Sequence, residues 1–188
     1  PNISNQAIVG HYVGTAGWYF QHRGDSAGFA FEMYGNTGAG GSGACRLSYA
    51  HAKTQNIGRW CHYVVNVNAT KSATALYLNN TLVAAALNQN NIAGTCLGGA
   101  TTFDVGNRAG SNVMRGAITR LRMHTRVLTA AEIANLFFDD VAVAVDGEWL
   151  FTDGSGTTLT GTQGGANMTI TTPAWSTESP GHVRATSA

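Results

Sequence analysis

Charge is scarce in this chain. Of 188 residues only 11 are Lys or Arg and 10 are Asp or Glu, 11% together, for a formal net charge of +1; a typical soluble domain carries about 25%. Nine of the cations are Arg and two are Lys, with no basic run, so the electrostatic footprint of a nucleic-acid binder is missing. Carboxylates are fewer still where catalysis would want them. The four Glu are Glu32, Glu132, Glu148 and Glu178; only Glu148 has a second carboxylate two residues away, Asp146, the spacing that sets a pair on one face of a strand for glycoside hydrolysis, and no Glu-x-Asp-x-Glu run occurs. The three Cys, Cys45, Cys61 and Cys96, show no CxxC or Cys/His spacing, which excludes a structural zinc site of the usual kind. Their odd number argues against a complete disulfide framework; three buried thiols, or one bridge such as Cys45–Cys61, remain open. Six His share no ligand spacing, and neither a Gly-x-Ser-x-Gly elbow nor a phosphate loop occurs. No apolar run is long enough to span a bilayer, and no stretch reads as a signal peptide. Catalytic machinery, nucleic-acid binding and membrane insertion are therefore not expected.

What the chain has is Gly, 24 residues of it against three Pro, and a texture of short β-branched and aromatic stretches broken by Gly and Asn. QAIVGHYV (6–13) and GWYFQHR (17–23) read as a hairpin. In AGFAFEMYG (27–35), Phe29, Phe31 and Met33 alternate with Ala30, Glu32 and Tyr34, the period of a half-buried strand. NTGAGGSG (36–43) is a loop and ACRLSYAH (44–51) a strand. RWCHYVVNVNA (59–69) alternates most clearly, with Trp60, His62, Val64 and Asn66 opposite Cys61, Tyr63, Val65 and Val67. ATALYL (73–78) and TLVAAAL (81–87) flank Asn79-Asn80, a pair that tolerates the positive φ of a primed turn. TTFDVGN (101–107) and NVMRGAITRLRMHTR (112–126) complete the strands.

One helix stands out, in LTAAEIANLFF (128–138). Thr129 and Glu132 have the spacing of a capping box, and Ile133, Leu136 and Phe137 form an apolar face. One helix near 129–138 among ten or more strands gives an all-β class, an antiparallel β-sandwich or jelly roll, in a single domain over 1–175 followed by a polar tail, 176–188.

In order, GRWCHYVVNVN, ALYLNNTLVA, TTFDVGNRAG and MRGAITRLRMHTRVLTAAEIANLF resemble the laminin-G-like, concanavalin-A-like jelly-roll family over residues 6–138. Trp60, Tyr77 with Asn79-Asn80, Val105-Gly106-Asn107, Gly116-Ala117-Ile118, Leu121-Arg122-Met123, Arg126, Leu128, Glu132 and Ile133 fill the family's pattern. The family's usual first strand looks like Glu148-Trp149-Leu150-Phe151 with Asp153-Gly154-Ser155-Gly156-Thr157-Thr158, here placed after the closing helix. The resemblance thus implies a circular permutation in which 147–175 supplies the first strands, or an exchange of that segment between copies. Some relatives bind calcium through loop oxygens; Asp104 and Asn107 are the candidates here, although Thr119 stands where the family has an acid.

A lectin-like role, common in that family, needs an aromatic platform and polar partners for hydroxyls. Tyr12, Trp18, Tyr19, Gln21, Glu32 and Tyr34 are the candidates for it, while Trp60, Trp149 and Trp175 are assigned to packing. Expected is a non-catalytic surface-binding or assembly module without an obligatory cofactor, on an extracellular or virion surface. Its partners are glycans or neighbouring subunits, as a homo-oligomer or in a capsid or tail lattice. A structural virion decoration protein is the alternative, and a glycoside hydrolase the third reading. An ordered polar tail and a surface of Ala, Gly, Asn and Thr fit assembly.

Overall fold

In a computed structural model the described residues are 5–13, 16–23, 28–36, 42–49, 58–68, 70–85, 87, 89–90, 103–106, 112, 114, 116–138, 143–151, 155, 157–169. They fall in two compact units, Pro1–Arg115 and Gly116–Ala188. Cys96, Asn107, Asp139-Asp140, Asp153, Trp175 and the tail 176–188 lie outside the described residues.

The first unit contains β1 (Gln6–Val13), β2 (Ala16–His22), β3 (Phe29–Asn36), β4 (Ser42–Tyr49), β5 (Tyr63–Val67), β6 (Thr74–Leu78), β7 (Thr81–Ala84), β8 (Gln89–Asn90) and β9 (Asp104–Val105). Six of them form an antiparallel sheet in the order β8-β4-β3-β2-β1-β9, and β5-β6-β7 form a second sheet. The period-two pattern explains why the two stack. Phe20, Phe31, Met33, Cys45 and Leu47 leave the first sheet on one side and meet Leu76 of β6, with Tyr63, Val65, Val67 and Val83 closing around them. Each such side chain removed from water contributes roughly 1.5–3 kcal/mol. The result is the β-sandwich expected from the sequence. Cys45 is buried within this core, and both Cys45 and Cys61 are free thiols, so the bridge between them does not form.

Asn79 and Asn80 take φ of 48° and 63°, the two positive values a primed hairpin turn demands. That turn also sets where β5 begins. Its partner β6 ends at Leu78, so the ladder ends with His62, whose N–H donates to Asn79 Oδ1 at 2.9 Å and whose carbonyl accepts from Asn79 N–H at 2.8 Å. The strand expected from residue 59 accordingly starts at Tyr63, and Trp60 is 43% exposed rather than packed.

The second unit holds β10 (Arg120–Met123), α1 (Ala130–Phe138), β11 (Gly147–Leu150), β12 (Thr158–Leu159), β13 (Gly161–Thr162) and β14 (Met168–Thr169). β11 runs between β10 and β13, and β12 pairs with β14. Arg120 to Met123 lie opposite Leu150 to Gly147, so the segment carrying Trp149 pairs with 120–123 of its own chain. The long strand expected over 112–126 reduces to those four residues because its partner is only four long. Asn112, with φ of 54°, also interrupts extended backbone at the other end.

The helix begins as its sequence dictates. Glu132 N–H donates to Thr129 Oγ1 at 3.2 Å and Thr129 N–H donates to Glu132 Oε2 at 2.8 Å, a reciprocal capping box. Leu128, Ile133 and Leu136 are buried, but Phe137 and Phe138 are exposed and meet edge to face at 5.0 Å. Trp149 is buried and donates from Nε1 to Ala166 O at 2.8 Å, so its packing role stands. Close backbone approach holds this corner together: a Cβ on Gly161 would overlap the Gly165 carbonyl, and no rotamer change moves backbone aside. Thr129→Ala is expected to cost about 1 kcal/mol in denaturant unfolding, and Gly161→Ala distinctly more. A Gly161→Ala protein as stable as the parent would contradict this packing.

Candidate functional site

Alternation along β2, β3 and β4 sends one set of side chains to the core and leaves the other on the opposite face. Cross-strand register arranges that second set in rows. One row runs Asp104–Gly10–Tyr19–Glu32–Arg46–Gln89 across all six strands. The row beside it holds Ala7, Gln21, Ala30 and Ser48, and on the other side Tyr12, Gly17, Tyr34 and Ala44 share a row. Five of the six candidate ligand residues, Tyr12, Tyr19, Gln21, Glu32 and Tyr34, thus occupy three adjacent rows. For Tyr12 and Tyr34 only the backbone positions are described. Trp18 belongs to the other face, half-buried against His11, Phe31 and Phe103, with ring centroids 6.5, 5.6 and 5.8 Å away. Tyr19 lies against Gly10, where an added Cβ would come within 2.8 Å of the Tyr19 Cβ; the glycine lets the tyrosine's strand approach.

This face is buried as well. Glu32 is 0% and Gln21 1% exposed. A carboxylate in that setting must be compensated by charge and hydrogen bonds. Gln21 donates from Nε2 to Glu32 Oε2 at 2.8 Å. Arg46 Nε donates to Oε1 at 2.5 Å, and Arg23 Nη1 donates to the same oxygen. The two arginine side chains are 16% and 23% exposed for Arg23 and Arg46, so the cluster has a buried floor and a partly open rim. Arg23 and Arg46 were not among the expected site residues. The available signal was an arginine at the centre of an otherwise apolar strand, ACRLSY, in the phase opposite to Cys45 and Leu47.

A second cluster of the same kind sits in the other unit. Glu148 is buried. It accepts from Arg122 Nε at 2.6 Å and from Thr162 Oγ1 at 3.0 Å, and Arg120 Nε stands 3.8 Å away. Both arginines share one face of β10, and Arg122 lies directly opposite Glu148 in the register. Burial alone would raise the Glu148 pKa. The Arg122 and Thr162 hydrogen bonds and the two positive charges outweigh it and hold the carboxyl below its ordinary 4.5. Glu132 is gripped by Arg126 through bonds of 2.9 and 2.5 Å, which together with the cap bonds bring its pKa down to about 2.

The exposed aromatic group lies elsewhere. Val64, Tyr77 and Leu82 form one row on the outer side of the three-stranded sheet, and Leu82 is exposed. Two residues before His62, the Trp60 indole is open to solvent. Asn79 is exposed and accepts the His62 N–H with its side-chain oxygen. Asp104, one of the calcium candidates, is half-buried on β9. Among the described residues no group of three or more His, Cys, Asp or Glu could hold a metal ion.

The model of a family described as the Concanavalin A-like lectin/glucanases superfamily matches residues 2–134. No curated protein matches the chain, and no solved structure does.

The depressed Glu148 pKa makes a testable contribution to stability. A carboxyl whose folded pKa lies below the unfolded one stabilises fully above about pH 4.5 and loses that effect as pH falls through the folded value. Arg122→Met is expected to lower stability at neutral pH by about 1–3 kcal/mol, the usual cost of a buried polar group left without its partner. The same variant should flatten the acid limb of a stability–pH profile measured by urea unfolding.

Proposed function

We propose a non-catalytic, lectin-like binding role for this chain, which belongs to the concanavalin A-like lectin/glucanases superfamily. One observation carries the choice of lectin over glucanase: each of the three described glutamates, Glu32, Glu132 and Glu148, is engaged by arginine. Glycoside hydrolysis uses one carboxyl as acid and a second as nucleophile or base, roughly 5–9.5 Å apart across the bond. Glu32 has Tyr19 and Arg46 directly opposite it and Gly17, Gln21, Ala44 and Ser48 diagonally; none of these is a carboxylate.

For binding, the outer side of the three-stranded sheet is best furnished. An exposed indole offers its face to the C–H surface of a sugar ring, and Asn79, adjacent to the bonded His62, offers a donor to a hydroxyl. Trp60 is at most about 7 Å along the chain from His62, within the footprint of one or two sugar rings. The partner is a neutral or weakly charged glycan on an extracellular or virion surface. A second reading, a decoration or tail protein held by subunit contacts, is favoured by Val127, Phe137 and Phe138, which are 38%, 37% and 56% exposed on the second unit.

Tryptophan fluorescence and a glycan array test both readings. Glycan binding is expected in the intact chain, and Trp60→Ala should abolish it with the melting temperature unchanged. Binding that survives Trp60→Ala would remove this site. A stable oligomer that ignores glycans and dissociates on Phe138→Ser would establish the assembly role instead. Polysaccharide hydrolysis abolished by Glu32→Gln would return the chain to the enzymes.

A further inference from the structure

The triplet Asn-x-Ser/Thr, which can accept an N-linked sugar where it is exposed, occurs at Asn2, Asn68, Asn79 and Asn167. Asn2 lies outside the described residues. The fold uses the other three asparagines differently. Asn68 locks a turn: it is half-buried, its Nδ2 donates to Ser72 Oγ at 2.8 Å, and its Oδ1 accepts from Ala73 N–H at 3.3 Å. A sugar there replaces an amide hydrogen on a nitrogen that the turn employs. Asn167 is exposed, but its Oδ1 accepts from Gly161 N–H at 3.1 Å. A Cβ on that glycine would already come within 3.0 Å of the Ala166 carbonyl, so bulk at this corner conflicts with its close packing.

Asn79 stands at the tip of the β6–β7 hairpin, and both it and Thr81, the hydroxyl residue of its triplet, are exposed. Its part in the fold is carried by Oδ1, which accepts the His62 N–H, and by its backbone N–H, which donates to His62 O. Sugar attaches to Nδ2 and leaves the amide oxygen in place, so modification keeps both bonds. The surface beside the tip is apolar. Tyr77, two residues before Asn79, lies opposite Leu82, one residue past Thr81, and Leu82 is 50% exposed. Two residues of extended chain span about 7 Å, within reach of the first sugar ring. The C–H face of that ring suits an aromatic partner, and covering Leu82 removes apolar surface from water.

We propose that Asn79 is an N-glycosylation site whose first sugar lies over Tyr77 and Leu82. The donor is an oligosaccharide carried on a lipid-linked diphosphate. A bond forms between sugar C1 and Asn79 Nδ2, the bond from C1 to the diphosphate oxygen breaks with the diphosphate as leaving group, and one amide proton passes to the transferase. The modification rests on the extracellular placement proposed above and not on binding at Trp60.

The full chain, secreted from cultured animal cells behind a cleavable signal, is analysed by mass spectrometry. Peptide N-glycosidase in heavy-oxygen water marks each sugar-bearing asparagine as a labelled aspartate. Label is expected at Asn79 ahead of Asn68 and Asn167. Thr81→Ala, which keeps Asn79 and its bonds to His62, should abolish it. The sugar-bearing chain should melt about 2–4 °C above sugar-free chain made in bacteria, and Tyr77→Ser should shrink that gap. An unlabelled Asn79 in folded secreted chain, a preference for Asn68 or Asn167, or a lower melting temperature with the sugar would each overturn the assignment. Chain from its native source with Asn79 bare, while the secreted chain is labelled, would overturn the extracellular placement and the modification with it. Neither failure touches the Trp60 reading, which the sugar-free chain tests on the glycan array.

Discussion

A carboxylate with no solvent of its own is the constraint around which this chain is arranged. In the first unit it is Glu32, in the second Glu148, and in each two arginines converge on it. With charge so rare in the composition, this is a concentrated use of it. Removing one arginine leaves a buried anion partly uncompensated, which is far costlier than an exposed pair broken. The pairing therefore binds strands to one another in register: Glu32 joins β3 to β4 and to the residue just after β2, and Glu148 joins β10, β11 and β13. Slipping one strand by one residue would send the carboxylate to the apolar side, so the ion clusters also discriminate against wrong registers.

The same arrangement bears on the two capacities named in a superfamily of lectins and glucanases. Hydrolysis asks for carboxylates that are unengaged and paired. Recognition asks for rigid aromatic and hydrogen-bonding groups in fixed places. Here the described glutamates are held by arginine, while the Trp60 indole ahead of β5 is open to solvent. A catalytic acid and a structural acid draw on the same chemistry, and in this chain the structural use occupies each described glutamate.

Much of the fold was legible in local pattern. The alternation in AGFAFEMYG assigned Phe31 and Met33 to the core side and Glu32 to the other; Asn79-Asn80 marked its turn; Thr129 and Glu132 marked the start of the helix. These signals are local, and local geometry decides them. What failed to show were features set by distant partners. β5 begins only at Tyr63 because β6 has already turned after Leu78, and β10 keeps four residues because β11 offers four. Trp60 looked like a packing residue since its phase and neighbours suited one, but its exposure depends on where a separate strand ends. Period two set Glu32 on the side away from Phe31 and Met33 but did not show that this face too is shielded, and so Arg23 and Arg46 passed unnoticed until the register brought them to the same carboxylate.

Cys45 is fully buried, free, and set between Met33 and Asn90 in the register of the six-stranded sheet. An alkylating reagent can meet its sulfur only during excursions in which the sandwich parts, whereas Cys61, half-buried near the start of β5, is within reach of smaller fluctuations. The chain thus carries an internal clock. The slow chemistry of one thiol counts how often the core opens, without any label or substitution being introduced.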